Sequence, residues 1–509
     1  MNKNKLIFIL LFIEGFLLSC IELAYSKYSN SFFGNSLYNW SFIIGLTMFF
    51  LVIGYLLSLT KFVINFYSKI ENVLLVFSLI CVITFSLFSL HEVLFLKIYS
   101  LFQHVLASSF ASAFLFLSLP ISIIATIPTT ITFHLSKQKN DLQSKTGNTF
   151  FVSTLGGIFG AILFGVFILP NLGYFNGYKV LSISVLIFVC ITLLYLKKFK
   201  VFTLSLVFLV LVFLKENAIA NTDIIYESEG LLGKIQVVNY RGVLGKIEGR
   251  QLICNNSIQT WIDTKTGNSL GKYPYIIESI IQERKSGNQI AKTGLVLGLG
   301  GGTISYILEK NNIKCYSVEL DKRIAEVSKK YFYNFKNNEI IINDARKYLN
   351  TDNKTYDVIV SDVFISENPP YHILTLESFQ LIKNRLSQNG IYIINFNGYI
   401  QGKDGLVGRS LVKTLKKSGF QVRCIVGSDD QETRNNIYIC YKSDEDFKTS
   451  TIENTLKINN VSEFDLNTIQ LNDSYVFTDN DPVLELINSK SAVNWRKHSI
   501  EYLKNNYEK

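Results

Sequence analysis

Two patterns of apolar residues divide the chain. Up to about residue 215 they come in long unbroken runs, at 6–25, 40–60, 72–90, 105–126, 149–170, 179–196 and 201–214. A helix needs about 20 such residues to cross the hydrocarbon core of a bilayer. The pattern therefore predicts an all-α, multi-pass membrane domain over 1–215 with about seven apolar segments, the last of them short. From residue 222 the period changes. IIYES, GKIQVVNY, VLGKIEG, QLIC and SIQTWI are short alternating runs separated by Gly and Asn, which predicts a small β-domain over 222–265. Over 270–445, apolar strands at 294–299, 315–320, 339–343, 356–362, 390–396, 421–427 and 436–441 alternate with helical stretches. Continuously apolar strands joined by helices predict an α/β, doubly wound, Rossmann-like parallel sheet. Residues 446–509 are polar and read as a partly helical appendage.

Charge sharpens this division. Residues 1–200 carry 13 lysines, no arginine and 5 acids, while the whole chain has 50 basic and 40 acidic residues. The net charge of +10 is thus concentrated in lysines that punctuate apolar runs, which is a membrane pattern and not a nucleic-acid footprint. Lys3 and Lys5, Lys61 and Lys69, Lys137 to Lys145, and Lys197 to Lys200 fall in alternate loops. By the positive-inside rule they place the N-terminus in the cytoplasm. Seven crossings would leave the soluble half outside and six would keep it inside. The expectation is a cytoplasmic soluble half. Glu14 and Glu22 lie inside the first apolar run; carboxylates there are costly and are candidates for function. Gly156, Gly157 and Gly160 allow close helix packing. Seven scattered cysteines and five histidines form neither a disulfide framework nor a metal-ligand spacing, so no metal is expected.

The chemistry-bearing motif opens the predicted sheet. Gly298-Leu299-Gly300-Gly301-Gly302-Thr303 follows a strand and starts a helix, where glycine lets the backbone approach a ligand closely. Glu319 ends the next strand, about 20 residues on, where an acid can accept both ribose hydroxyls of a nucleoside. Asp344 follows the third strand and is placed for an adenine amino group. This order fits ligands of the S-adenosylmethionine type better than a dinucleotide. Asp362 ends the fourth strand, at the sheet edge where such folds bind ligands, and is a candidate base for a cationic amine.

On these residues the soluble half resembles the spermidine synthase (polyamine aminopropyltransferase) family over about 225–445. YESEGLLGKIQVVNY, LICNNSIQ, GLGGGTISYIL, SVELDKRIAEVSKKYF, NDARKYL and YDVIVSDVFISENPPYHILTLESFQLIKNRL are the matching segments. SCIELAYSKYSNSFFGNSLYNWS and VFTDNDPVLEL resemble the branch of that family with an N-terminal membrane domain. The resemblance implies aminopropyl transfer from decarboxylated S-adenosylmethionine to an amine acceptor. It assigns Gln259, Gly298, Gly300, Gly302, Glu319 and Asp344 to the donor, Asp362 to catalysis, and Tyr275, Glu367 and His372 to the acceptor. It implies a nucleoside donor, an amine and a lipid bilayer as partners, no nucleic acid, and a cell-membrane protein compatible with a homo-oligomer. The chain departs from soluble members of the family at Gly301 and Ile365, where they carry acids, and at Ile276, where a histidine would follow the tyrosine. The alternatives are transfer of a methyl group from S-adenosylmethionine, or a non-catalytic membrane transporter or sensor with a nucleoside domain.

Overall fold

The computed structural model describes residues 3–136, 142–214, 223–241, 246–287, 289–364, 369–428, 430–431 and 435–507. The chain divides into two compact units, Met1–Thr222 with Glu229–Lys234, and Asp223–Ser228 with Ile235–Lys509.

The first unit is helical: α1 (Lys3–Phe33), α2 (Leu37–Leu57), α3 (Lys61–Phe66), α4 (Ile70–Ser89), α5 (His91–Phe102), α6 (Val105–Leu135), α7 (Leu142–Ile162), α8 (Leu169–Tyr195) and α9 (Phe199–Leu214). Each predicted apolar run falls on a helix. Among the described residues, five helices are long and apolar enough to cross a membrane, one of them the continuous stretch Gln143–Tyr195. That stretch takes in two predicted runs, with a π-helical segment at Leu163–Ile168 and a break at Gly173 (φ 75°, ψ −179°). Its 53 residues would reach about 80 Å as one rod, more than twice a bilayer core of about 30 Å. Beyond the break, the Phe175 N–H donates to Glu229 Oε2 at 3.0 Å. α9 has 16 residues, or about 24 Å. The small residues bring α1 and α7 together: a Cβ on Gly156 would lie 2.0 Å from the Phe12 carbonyl oxygen. Glu14 is buried and accepts from Ser153 Oγ at 2.6 Å. Lys234 and Glu92 form a buried ion pair at 2.8 Å. The short helices α3 and α5 lie outside the predicted runs.

The second unit opens with a four-stranded antiparallel sheet, β1 (Ile224–Gly230), β2 (Gly233–Arg241), β3 (Ile247–Cys254) and β4 (Ser257–Asp263), in the order β1-β2-β3-β4. Asn255 and Asn256 turn β3 into β4 with φ of 49° and 61°, the paired positive φ that a two-residue hairpin needs. The main domain then runs α10 (Tyr273–Ser286), β5 (Thr293–Leu297), α11 (Thr303–Lys310), β6 (Lys314–Glu319), α12 (Lys322–Val327), β7 (Asn338–Ile342), α13 (Ala345–Thr351), β8 (Tyr356–Ser361), α14 (Leu376–Arg385), β9 (Leu386–Asn397), α15 (Leu406–Lys417), β10 (Gln421–Val426), β11 (Asn435–Tyr441), α16 (Asp444–Thr449), β12 (Ser462–Phe464), α17 (Leu484–Ile487) and α18 (Ser489–Tyr507).

Its strands order as β12-β10-β11-β9-β8-β5-β6-β7. β5 to β9 are parallel, whereas β10, β11 and β12 pair antiparallel. The sheet is therefore mixed and not wholly parallel as expected. The stretch between β10 and β11 is too short for the crossover of a dozen or more residues that a parallel pair needs. Apolar residues cover both faces, with Leu295, Leu297 and Ile359 in one core and Val296, Val358 and Val360 in the other. The C-terminal residues are built into this unit. β12 extends the sheet, and the buried Arg496 of α18 donates from Nη1 to the Asn255 carbonyl oxygen at 2.7 Å.

Candidate functional site

The order of the parallel strands reverses between β5 and β8, and ligands of such sheets bind outside the carboxyl ends at that point. Four of the expected site elements follow the carboxyl ends of four adjacent strands. The glycine turn follows β5, Glu319 ends β6, Asp344 follows β7 and Asp362 follows β8.

The turn needs its glycines for space. Gly298 has φ of +85°, and a Cβ there would stand 2.3 Å from the Asp362 carbonyl oxygen. Gly302 has φ of +93°, and its Cβ would meet the Phe335 ring at 2.3 Å. Gly300 also has positive φ, at +52°. β4 braces the turn from the other side, since the Gly301 N–H donates to Thr260 Oγ1 at 2.9 Å. Gln259 precedes Thr260 on β4 and is partly buried. Glu319 is buried, and its carboxylate accepts from the Leu299 N–H at 3.1 Å and the Asp321 N–H at 2.9 Å. Burial pushes its pKa up, and these backbone donors pull it partly back. The carboxylate is thus oriented beside the turn with lone pairs left for a ribose diol.

Asp344 caps α13 by accepting from the Lys347 N–H at 2.8 Å. Its other oxygen lies 3.4 Å from His372 Nε2. The tail segment reaches this corner: Asp479 accepts from Thr375 Oγ1 at 2.6 Å and from Arg346 at 2.7 Å.

Asp362 is the most elaborated position. Its Oδ2 accepts from the Tyr273 hydroxyl at 2.8 Å and its Oδ1 from Asn395 Nδ2 at 2.7 Å. Desolvation raises its pKa, and these two hydrogen bonds lower it partly. Tyr273 is pushed well above the ordinary phenol value by burial and by the Asp362 charge beside it, so it stays a donor. A desolvated carboxylate held by two donors can take a proton from an amine and release it again.

The structure thus brings Gly298, Gly300, Gly302, Glu319, Asp344 and Asp362 to one sheet edge and joins His372 to Asp344. It does not bring Tyr275 to Asp362. Tyr275 is exposed, and its hydroxyl donates to the Ser269 carbonyl oxygen at 2.7 Å. Two residues, or about 200° of helical rotation, separate the two tyrosines: Tyr273 begins α10 and reaches Asp362, whereas Tyr275 faces outward. Glu367 lies outside the described residues. Sequence reasoning missed Tyr273, Asn395 and Thr260. Tyr273 was visible only as a second tyrosine two positions earlier, and Asn395 only as a polar residue closing the apolar strand 390–396.

This sheet, with its glycine turn and the acid after the next strand, defines a Rossmann-like α/β domain with a preceding β-sheet. Residues 286–426 match the spermine/spermidine synthase domain. Over 198 residues the chain is 24% identical to a probable polyamine aminopropyl transferase of Bifidobacterium longum, covering 38% of this chain and 42% of that protein. Over 111 residues it is 33% identical to an N-terminal histidine N-methyltransferase of Emericella nidulans, covering 21% of this chain and 20% of that protein. A probable spermidine synthase structure from Corynebacterium glutamicum aligns with 50% of this chain and 95% of its own, at 17% identity and a TM-score of 0.42. The chain spans less than half the length of these two curated relatives.

Proposed function

We propose that this chain is a membrane-bound aminopropyltransferase that moves the aminopropyl group of decarboxylated S-adenosylmethionine to an amine. The observation that carries this reading is Asp362. It is a desolvated carboxylate held by Tyr273 and Asn395, and its backbone touches the glycine turn. In the proposed step the neutral amine attacks the propyl carbon on sulfur. The N–C bond forms as the C–S bond breaks, and sulfur takes the electron pair to become the neutral thioether methylthioadenosine. The new secondary ammonium gives a proton to Asp362, which passes it to water. Sulfonium departure needs little help, so the protein's tasks are alignment and proton removal.

Glu319, the glycine turn and Gln259 would hold the ribose and nucleoside, Asp344 the adenine, and His372 would position Asp344. The donor supplies all the reactive chemistry, and no metal is invoked. The apolar helices support a multi-pass cell-membrane protein, and the lysine pattern a cytoplasmic N-terminus. We place the soluble unit in the cytoplasm, where the donor is made. The partners are then a nucleoside donor, an amine and the bilayer.

The test is mass spectrometry of products after incubating the detergent-solubilised chain with an amine panel and either decarboxylated S-adenosylmethionine or S-adenosylmethionine. An added aminopropyl group with the first donor supports the reading. A methylated product with the second alone, as the methyltransferase similarity allows, would replace it.

A further inference from the structure

The tail segment VFTDNDPVLEL, 476–486, has no part in the proposed step, yet it is fastened to the adenine end of the site. Three contacts converge on Asp479. Its Oδ2 accepts from Arg346 Nη2 at 2.7 Å, its Oδ1 accepts from Thr375 Oγ1 at 2.6 Å, and its backbone N–H donates to Glu377 Oε2 at 3.0 Å. The residues before it fix the segment in place. The Tyr475 N–H donates to Ser410 Oγ of α15 at 3.0 Å. Phe477 is buried, its N–H donates to Thr414 Oγ1 of α15 at 3.0 Å, and its carbonyl oxygen accepts from the Leu376 N–H of α14 at 2.8 Å.

Arg346 and Thr375 stand beside the two side chains that would meet the base. Asp344 caps α13, so one of its oxygens is committed to the Lys347 N–H. The other lies 3.4 Å from His372 Nε2. Arg346 follows Asp344 by two residues in the first turn of α13, and Thr375 follows His372 by three, directly before α14. Asp479 ties one segment to the other. With the tie in place, the second oxygen of Asp344 has a fixed direction toward a ligand. Without it, the start of α13 and the segment carrying His372 can shift independently, and a directed hydrogen bond weakens steeply with misalignment. Arg346 is 15% exposed and Asp479 40%. A pair this open adds little to stability, so cutting it leaves the chain folded and changes the aim of Asp344.

We infer that Asp479, 133 residues along the chain from Arg346, is a positioning residue for base recognition. By holding Arg346 and Thr375 it sets Asp344 to accept from a 6-amino purine and to reject a 6-oxo purine. This inference rests on the nucleoside half of the reading above, in which Asp344 takes the adenine amino group, and it involves no covalent step.

The experiment measures binding of methylthioadenosine and methylthioinosine by calorimetry on the full chain in detergent, with thermal unfolding of each variant. The first nucleoside offers an amino donor at position 6, and the second a carbonyl oxygen that a carboxylate repels. The unmodified chain should prefer methylthioadenosine by about tenfold to a hundredfold, the worth of a hydrogen bond to a charged group. Asp344→Asn should remove most of that preference, because an amide can turn either end to the base. Asp479→Ala should lower it by about fivefold, the upper worth of a half-exposed ion pair. Arg346→Gln cuts the same tie from the other side, leaves Thr375 its acceptor, and should lower it by a similar factor. If Asp479→Ala does not fold, Arg346→Gln decides alone. Asp473→Ala is the control. It removes an ion pair of the same tail, between Asp473 and Arg409 of α15, and should leave the preference unchanged. A preference unchanged in Asp479→Ala or Arg346→Gln, or lowered as much in Asp473→Ala, overturns this inference and leaves Asp344 at the base. Equal affinity of the unmodified chain for the two nucleosides, or a full preference in Asp344→Asn, overturns the assignment of Asp344 to adenine, and this inference with it.

Discussion

Replacing Asp362 with Asn changes one atom in the position where the site's proton must go. The structure allows the substitution sterically, because the carboxylate sits between two groups that can re-orient. Tyr273 can turn its hydroxyl to accept from the new amide nitrogen while Asn395 Nδ2 still donates to the retained oxygen, so both hydrogen bonds have replacements. What the amide cannot do is accept the amine proton. A positioned base contributes about 10²–10⁴-fold, or about 3–5 kcal/mol of barrier, and that is the expected fall in turnover. Affinity for methylthioadenosine should change by less than about threefold, since that half of the site uses Glu319 and the turn. Stability gives a second readout with a defined sign. Burial raises the Asp362 pKa, so the folded state holds this proton to a higher pH than the unfolded chain. Its contribution is most favourable below the ordinary carboxylate range and is lost as pH rises through the raised value. Above the raised value the ionised group therefore opposes folding, and there Asp362→Asn should melt no lower than the unmodified chain. In the unmodified chain, kcat/KM should fall as pH drops through a carboxylate pKa above the ordinary value. The variant should lack that step and recover part of its rate at high pH, where more amine is already neutral. The assay is product formation from pH 5 to 10 with thermal unfolding in the same detergent. Near-full activity of Asp362→Asn at pH 7 would refute the assignment. A loss of donor affinity matching the loss of rate would mean that Asp362 holds the nucleoside instead.

Glu319→Gln should weaken methylthioadenosine binding by about 1.5–3 kcal/mol, the worth of a hydrogen bond to a charged group, and unchanged affinity by calorimetry would remove Glu319 from the ribose site. Tyr273→Phe deletes one of the two donors that lower the Asp362 pKa, so the acid limb of the pH–rate profile should move upward, whereas Tyr275→Phe should leave it in place. Gly298→Ala sets a Cβ against the Asp362 backbone at a positive φ; the strained backbone alone costs about 1–3 kcal/mol, and a variant as stable as the original chain by thermal unfolding would contradict the packing described. A C-terminal alkaline phosphatase fusion should be inactive in intact bacteria, and activity there would place the soluble unit outside.

The parts of this protein that the sequence announces are those where one local rule decides the outcome. Length and apolarity suffice to mark the helices, and the strand–turn–helix pattern around Gly298 marks both the sheet and the nucleoside side, because backbone space and a carboxyl-end acid are encoded within about 20 residues. The seven apolar runs became five membrane-length helices because two of them join in the helical stretch Gln143–Tyr195 and α9, at 16 residues, falls short of that length. Only Gly173 breaks it, and a lone glycine inside an apolar run is a weak stop. The mixed sheet had a cue in the short link between 427 and 436, which the apolar character of the flanking strands outweighed.

The acceptor side was less legible for a different reason. Its residues meet only through the sheet order. Asp362, Asn395 and Asn435 lie on strands that are neighbours in space, with Asn395 and Asn435 separated by a helix and a further strand, β10, which is not between them in the sheet. Tyr273 arrives from α10, almost 90 residues before the carboxylate it serves. No spacing rule links such positions, and Tyr275, where the family's tyrosine–histidine pair would begin, faces solvent. The consequence is physical as well as methodological. On the proposed reading the glycine turn and Glu319 would hold a nucleoside by backbone shape, which tolerates little change. On the proposed reading the amine would meet side chains from separate segments, such as Tyr273 of α10, Asp362 after β8 and Asn395 of β9. A chain can therefore keep the donor half of such a site while the acceptor half changes, as the departures at Gly301 and Ile365 suggest for this one.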